Sequence, residues 1–291
     1  MGTARRYPSG FHGALPLAIH SLAFVEPGAR VADGVEVGPF AVVGADVELG
    51  PGVRLMAHAV VLGHTRLGDG CVVFPHAVLG GEPQDLKYQG GPTRLIVGSR
   101  NTFREGCTIH RGTDSPAGGR GETRIGDDNL FMAQSHVAHD VLLGDSCVLA
   151  NSAAVAGHCV IQSGAILGGL VGIHQGARVG RMAFVGAGAM VSQDVPPFFM
   201  AQGDRARLVG LNLVGLRRSG MDRDRIALLK QALHLLGDRS VPRASSLESI
   251  LALGPDLAEL VELVAFVRAS KRGLCRSGRG DDARGIEAGT A

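Results

Sequence analysis

One spacing constrains this chain more than any other. From Ile19, every sixth residue is aliphatic: Val25, Val31, Val37, Val43, Leu49, Leu55, Val61, Leu67, Val73 and Leu79 follow without a miss. Four positions after each stands a residue that is small or β-branched, such as Ala23, Ala41, Ala59, Cys71 and Ala77. The register lapses at GGEPQDLKYQGGPTR, resumes through Val97, Phe103 and Ile109, and lapses again at TDSPAGGRGE. From Ile125 it runs unbroken to Val191. A repeat of six is the signature of a parallel β-helix, in which each hexad forms one short side of a triangular coil and stacked coils share a continuous core. The aliphatic residue points inward, and the corner admits only a modest side chain.

Two consequences follow. Irregular insertions cannot occupy the ladder without stranding backbone polar groups, so the lapses near 80–95 and 114–123 must leave the coil as loops, where function concentrates. After Pro196-Pro197 the texture changes to apolar residues at intervals of three and four, in RDRIALLKQALHLLG, SLESILALG and PDLAELVELVAFVRASKRG, with Asp256 near a helix start. The expected organisation is a disordered extension over 1–15, a β-helix over 16–197, a C-terminal α-helical domain over 198–274 and a disordered tail over 275–291.

Composition agrees with a narrow, regular interior: 44 Gly, no Trp and 2 Tyr. A net charge of +2 without a block of like charges argues against a nucleic-acid partner. No apolar run reaches membrane-spanning length and the first residues lack a signal peptide's apolar region, so a cytosolic protein with no membrane span is expected. The 5 cysteines show no CxxC pair. Cys71, Cys107, Cys147 and Cys159 fall on the small inward position of their hexads, which makes them core fillers, and Cys275 lies in the tail.

Eighteen residues make one turn, so the register also places the polar residues. His139, His158 and His174 fall near one corner of successive coils, with His136 one side earlier on the turn of His139. Converging imidazoles suit a metal ion, as in histidine-metal hexapeptide enzymes of the carbonic anhydrase type. They equally suit general base catalysis, in which a carboxylate fixes the imidazole tautomer, and Asp140 is at hand. Neighbours on a strand face opposite sides, but at a corner they need not. His58 and His76 also stack one coil apart, without an acid beside them.

Several strings are more specific than the hexads. GEPQDLKYQGGPTRL, EGCTIHRGT, NLFMAQSHVAHD, AGH, IHQGARVG, QDVPPFFMAQGD and GLNLVGLRR resemble the UDP-N-acetylglucosamine O-acyltransferases, the first enzymes of lipid A synthesis, and the likeness spans about residues 19–274. The resemblance implies a left-handed coil and a homotrimer with active sites between neighbouring coils. It implies transfer of an (R)-3-hydroxyacyl chain from acyl carrier protein to the sugar 3-hydroxyl of UDP-N-acetylglucosamine, with no metal and no dissociable cofactor beyond the carrier's phosphopantetheine.

By the same resemblance His139 is the general base, Asp140 orients it, and the Gly157 N–H stabilises the oxyanion. His136, His158, His174 and Gln175 become sugar and acyl contacts, Asp85 and Lys87 substrate contacts reaching across the trimer interface, and Asn212 and Arg218 nucleotide contacts. Two departures stand out: Val214 replaces an acidic uridine contact, and Ala187 occupies the position of the family's acyl-length ruler, which suggests a medium chain. Alternatives left open are a 3-amino analogue of the acceptor and the metal enzyme. The related N-acyltransferase is disfavoured because that family carries an N-terminal uridine-binding domain, and here the hexads begin by Ile19. The basic residues Arg217, Arg218, Arg223, Arg225 and Lys230 form an expected dock for an acidic carrier.

Overall fold

The computed structural model describes residues 19–115, 118–238 and 240–277. Most hexads form a strand of two residues whose partner lies eighteen residues on: Phe24 pairs with Val42 and Val25 with Val43, in parallel. Repetition of that step builds three sheets of nine, eight and ten strands, the sides of a left-handed β-helix. The second residue of each strand points inward, as do the small residues before the strands: Val43, Val61, Val73, Ala41, Ala59 and Ala77 are all fully buried. Within the stacked coils Phe103 packs on Phe131 with centroids 4.8 Å apart, and Phe198 and Phe199 are fully buried where the coil ends. Cys71, Cys107, Cys147 and Cys159 are fully buried, and burial pushes their thiols up to about 11 or 12, as suits inert filling.

Corners set the rules for the site. The second residue of each turn often takes a left-handed conformation, adopted by non-glycine residues such as Phe40, His58, His76, Asp140 and His158 with φ near +60°. That conformation is unfavourable for L-residues by about 1 kcal/mol or more, a cost the ladder bonds on either side offset. The first residue of the turn aims its N–H out of the coil. Pro27, Pro39, Pro51 and Pro75 occupy this place because no ladder bond is lost there.

The coil resumes after both insertions, with one register shift between Leu79 and Gly81 where the first of them departs. Arg94 pairs with His64 on one side and with Glu122 on the other, so the loops over 82–93 and 112–121 project from the same stretch of the coil. Past the coil, Phe199–Gln202 and Arg207–Leu211 close the third sheet as an antiparallel pair. Among the described residues four helices follow: α1 (Leu213–Arg218), α2 (Arg223–Gly237), α3 (Arg243–Ala252) and α4 (Ala258–Arg268). Asn212 caps α1 and Asp222 caps α2, each accepting a backbone N–H from the first turn. Asp256 caps nothing: the residue before α4 is Leu257, without a side-chain bond. The helices join the coil through Arg181, paired with both oxygens of Glu262, and Arg178 over the Phe266 ring.

The expected disorder of residues 275–291 needs correction at its start. Leu274 bridges Asp194, Ser277 bridges Leu208 and Cys275 is buried, so the chain through 277 forms an added edge against the coil. Backbone bonds here, not side-chain periodicity, hold the segment. The remainder of that tail and the extension over 1–15 lie outside the described residues.

Candidate active site

One corner of three successive coils carries His139-Asp140, Gly157-His158 and Gln175-Gly176. Backbone bonds fix the stack: His158 N donates to His139 O at 3.0 Å, and Gly176 N to Gly157 O at 2.9 Å. Because Asp140 has φ +59°, its side chain swings to the same side as its neighbour. His139 Nδ1 lies 2.8 Å from Asp140 Oδ2.

Asp140 is fully buried and has four hydrogen-bonding partner groups. Besides the imidazole it accepts from Thr113 Oγ1 at 2.6 Å, Thr113 N at 3.1 Å and Arg120 N at 2.7 Å. Burial alone would raise its pKa, but the bonds from His139, Thr113 and Arg120 outweigh it and bring the carboxyl down to about 2. Asp140 is therefore a fixed anion that draws the imidazole proton to Nδ1, leaving the Nε2 lone pair for chemistry. The second insertion supplies both Thr113 and Arg120.

The first insertion folds back over its own coil. Asp85 Oδ2 stands 4.0 Å from His139 Nε2 of the same chain. The resemblance implies that Asp85 reaches substrate across a subunit interface; in this chain the loop also sets it beside its own His139 and is tied down by intrachain contacts. Arg111 bonds Tyr88 Oη at 3.0 Å and Glu82 at 3.1 Å, while Asp114 accepts from Gly91 N at 2.9 Å. Lys87 is exposed, and its backbone N–H donates to Asp85 Oδ1 at 2.9 Å.

The other histidines take different places. His158 stands edge-on to His139, with centroids 5.1 Å apart, and its Nε2 is 3.7 Å from Asp140 Oδ2; burial, ahead of nearby charges, lowers its pKa. His136 bonds Thr108 Oγ1 at 2.8 Å. His174 is exposed, its Nδ1 3.1 Å from Arg272, and Gln175 beside it is exposed as well. His58 and His76 stack with Phe40 at another corner and take no part. Sequence reasoning missed His110, which packs edge-on against His136 with centroids 4.8 Å apart. It is buried, its Nδ1 has no partner, and burial, aided by His136 and His139, lowers its pKa to about 4. The second insertion hides it: Thr108 aligns with His136, twenty-eight residues away instead of eighteen.

Gly157 sits against the His139 ring so closely that an added Cβ would fall 2.5 Å from Cε1 and 2.6 Å from Nε2. Its N–H occupies the first turn position and has no acceptor among the described residues. At another corner the equivalent N–H groups of Ser99, Asp127 and Asp145 are taken by side chains of the next coil. Here nothing competes. His136, His139, Gly157, His174 and Gln175 line one groove of about 1030 Å³, with Met190, Arg205 and Arg207 toward its far end.

Some expected residues lie elsewhere. Ala187 is exposed at a different corner and does not line the groove. Asn212 is buried, with its side chain engaged by Met182 O and Gly215 N, while Arg218 and Val214 are exposed on α1. The ligand atoms of His139, Asp140 and His158 lie within 4.8 Å of one another. A metal ion fits them poorly, because Asp140 Oδ2 already accepts from Thr113 and His139, and binding would break bonds that hold the loop.

Comparisons with known proteins agree with one another. A family profile described as "Udp N-acetylglucosamine O-acyltransferase; Domain 2" matches residues 194–275. A Saccharophagus degradans protein named acyl-[acyl-carrier-protein]-UDP-N-acetylglucosamine O-acyltransferase is 45% identical over 258 residues, covering 89% of this chain and 99% of that protein. One of the same name from Anaeromyxobacter dehalogenans is 46% identical over 263 residues, covering 89% and 100%. The solved UDP-N-acetylglucosamine O-acyltransferase of Moraxella catarrhalis superimposes with a TM-score of 0.85 at 37% identity, covering 89% of this chain and 100% of that one.

Proposed function

The chain belongs to the acyl-[acyl-carrier-protein]-UDP-N-acetylglucosamine O-acyltransferase family, and from that membership and the groove we propose how it works. It moves an acyl group from acyl carrier protein to a hydroxyl of UDP-N-acetylglucosamine, the first step of lipid A biosynthesis. The acyl chain is an (R)-3-hydroxyacyl chain, the acceptor is the sugar 3-hydroxyl, and His139 is the general base.

A sugar hydroxyl is a poor nucleophile until its proton is accepted during attack. In this reading His139 Nε2 takes that proton as the oxygen bonds to the thioester carbonyl carbon, and buried Asp140 stabilises the resulting imidazolium. The carbonyl oxygen becomes an oxyanion against the Gly157 N–H, a donor already aimed out of the coil. Collapse breaks the carbon–sulfur bond, and the imidazolium returns its proton to the departing thiolate. No cofactor beyond the carrier's phosphopantetheine is required.

Asp85 stands where it can accept from the sugar, with Lys87, His136, His158, His174 and Gln175 as further sugar and acyl contacts. The nucleotide contact of Asn212 rests on the family resemblance, because its side chain is buried in the cap of α1. Arg218, exposed on α1 and off the groove of its own chain, suits contact with the nucleotide of a neighbouring subunit in a homotrimer. Ala187 is its candidate acyl contact at the interface. The exposed apolar side chains Phe24, Phe40 and Leu170 support such an assembly.

The observation that carries the mechanism is the 2.8 Å contact between His139 Nδ1 and buried Asp140 Oδ2 behind the groove wall. A mass-spectrometric assay with defined (R)-3-hydroxyacyl carrier thioesters tests the reaction, offering UDP-N-acetylglucosamine and its 3-amino analogue in parallel. An ester product is expected; an amide from the analogue alone would overturn the acceptor assignment.

A further inference from the structure

The C-terminal segment returns to the coil beside the groove. Gly273, at φ +75°, turns the chain so that its carbonyl accepts from Asp194 N at 2.9 Å, and Asp194 O accepts from Cys275 N at 2.9 Å. Arg272, the residue before that turn, is thereby set against the groove wall. Its Nε donates to Ser192 O at 3.2 Å, and its carbonyl accepts from Gln193 Nε2 at 3.4 Å. Its Nη2 then stands 3.1 Å from Nδ1 of His174, a residue that lines the groove.

Two groups compete for that nitrogen, and they require opposite states of the ring. The Gln175 carbonyl, 3.1 Å from Nδ1, can only accept, and would draw a proton onto it. A guanidinium can only donate and does not lose its protons, so it requires a bare lone pair. A proton on Nδ1 would face an Arg272 N–H held in place by the bonds to Ser192 and Gln193. A charge-assisted bond is also the stronger of the two.

We propose that Arg272 is a positioning residue: it holds His174 Nδ1 as an acceptor, so that the ring carries its proton on Nε2 and offers that N–H to a substrate oxygen in the groove. Nε2 has no partner among the described residues. The arrangement inverts that of His139, where a carboxylate at Nδ1 leaves Nε2 bare. One groove thus holds two imidazoles in opposite tautomers, an acceptor for the nucleophile's proton and a donor for an oxygen. The use of the donor rests on the transfer described above; the tautomer stands without it. Both substrates carry oxygens that accept, the acyl chain in its hydroxyl and the sugar nucleotide in its acetamido and phosphate groups.

Histidine side-chain nitrogen–proton correlation spectra of the full-length protein, recorded without substrate, read the tautomer, with His174 assigned by the signals missing from His174→Ala. The wild type is expected to show Nδ1 bare. Arg272→Met should move the proton to Nδ1, where the Gln175 carbonyl is the remaining partner, while Arg272→Lys, which keeps a donor that cannot accept, should retain the wild-type tautomer. In the transfer assay Arg272→Met should lower kcat/KM roughly tenfold, about the worth of one hydrogen bond, with no further loss when combined with His174→Ala. A raised KM for the carrier places the accepting oxygen on the acyl donor, and a raised KM for UDP-N-acetylglucosamine places it on the sugar nucleotide. A proton on Nδ1 in the wild type, unchanged kcat/KM in Arg272→Met, or losses that add in the double variant would overturn the proposal and leave the transfer reaction standing. Absence of transfer by the wild type would overturn the reaction and the donor's use with it, and the spectra would still decide the tautomer.

Discussion

His139 and Asp140 are consecutive residues whose side chains meet, Nδ1 to Oδ2 at 2.8 Å, because the second of them takes a left-handed turn conformation that a strand would not allow. The pair fixes the tautomer of the base. In Asp140→Asn the amide can donate to Nδ1 and favour the wrong tautomer, so kcat is expected to fall roughly 10³-fold with the fold retained. Steady-state kinetics beside a circular dichroism melt check this.

Thr113 reaches Asp140 from the second insertion through Oγ1 at 2.6 Å. Thr113→Val keeps the shape and removes one charge-assisted bond, which should cost about 2 kcal/mol of stability. A denaturant midpoint lowered with an unchanged slope is the expected result.

Gly157 has no room for a methyl group beside His139. Gly157→Ala should displace the imidazole and lower kcat by two orders of magnitude or more, about the loss of one oxyanion donor, while substrate binding by calorimetry stays near the wild-type value.

Acid stability follows from two groups acting in the same direction. Asp140, held down at about 2, contributes stability that is present above the ordinary carboxylate pKa of about 4 and is lost as pH falls toward 2. His110, lowered to about 4, favours the folded state while neutral; that contribution is full above about 6.5 and is lost as pH falls through 4. Its share is of order 3 kcal/mol. Unfolding midpoints of His110→Gln should therefore vary less between pH 6.5 and 4 than those of the wild type.

A basic surface on α1 and α2 suits an acidic carrier protein. Arg225 is already engaged by Asp222 and Glu259, so the attraction falls to Arg217, Arg218, Arg223 and Lys230. The KM for the carrier should rise steeply with salt, and less steeply after charge reversal at Arg218 and Arg223.

The coil was legible because its physics is periodic: one inward apolar residue per six, read from Ile19 to Val191, places the strands of the coil. The corner holding His139 and His158 followed from the same arithmetic. What escaped depended on the insertions. They displace His110 from the eighteen-residue step and bring Thr113 and Arg120 to Asp140 from 27 and 20 residues away, contacts for which no spacing rule exists. The strand-like edge at Leu274–Ser277 escaped because it is held by backbone bonds. The open N–H of Gly157 was half legible: Pro27, Pro39, Pro51 and Pro75 already mark its turn position as one that makes no ladder bond.

The most direct test of the central claim is the rate of acyl transfer by His139→Ala, measured with an (R)-3-hydroxyacyl carrier thioester and UDP-N-acetylglucosamine, with melting temperature and oligomeric state measured in the same preparation. The expected result is a loss of 10³-fold or more in kcat from a protein that folds and assembles like the wild type. Transfer at the wild-type rate by that folded variant would contradict the assignment of His139 as the base.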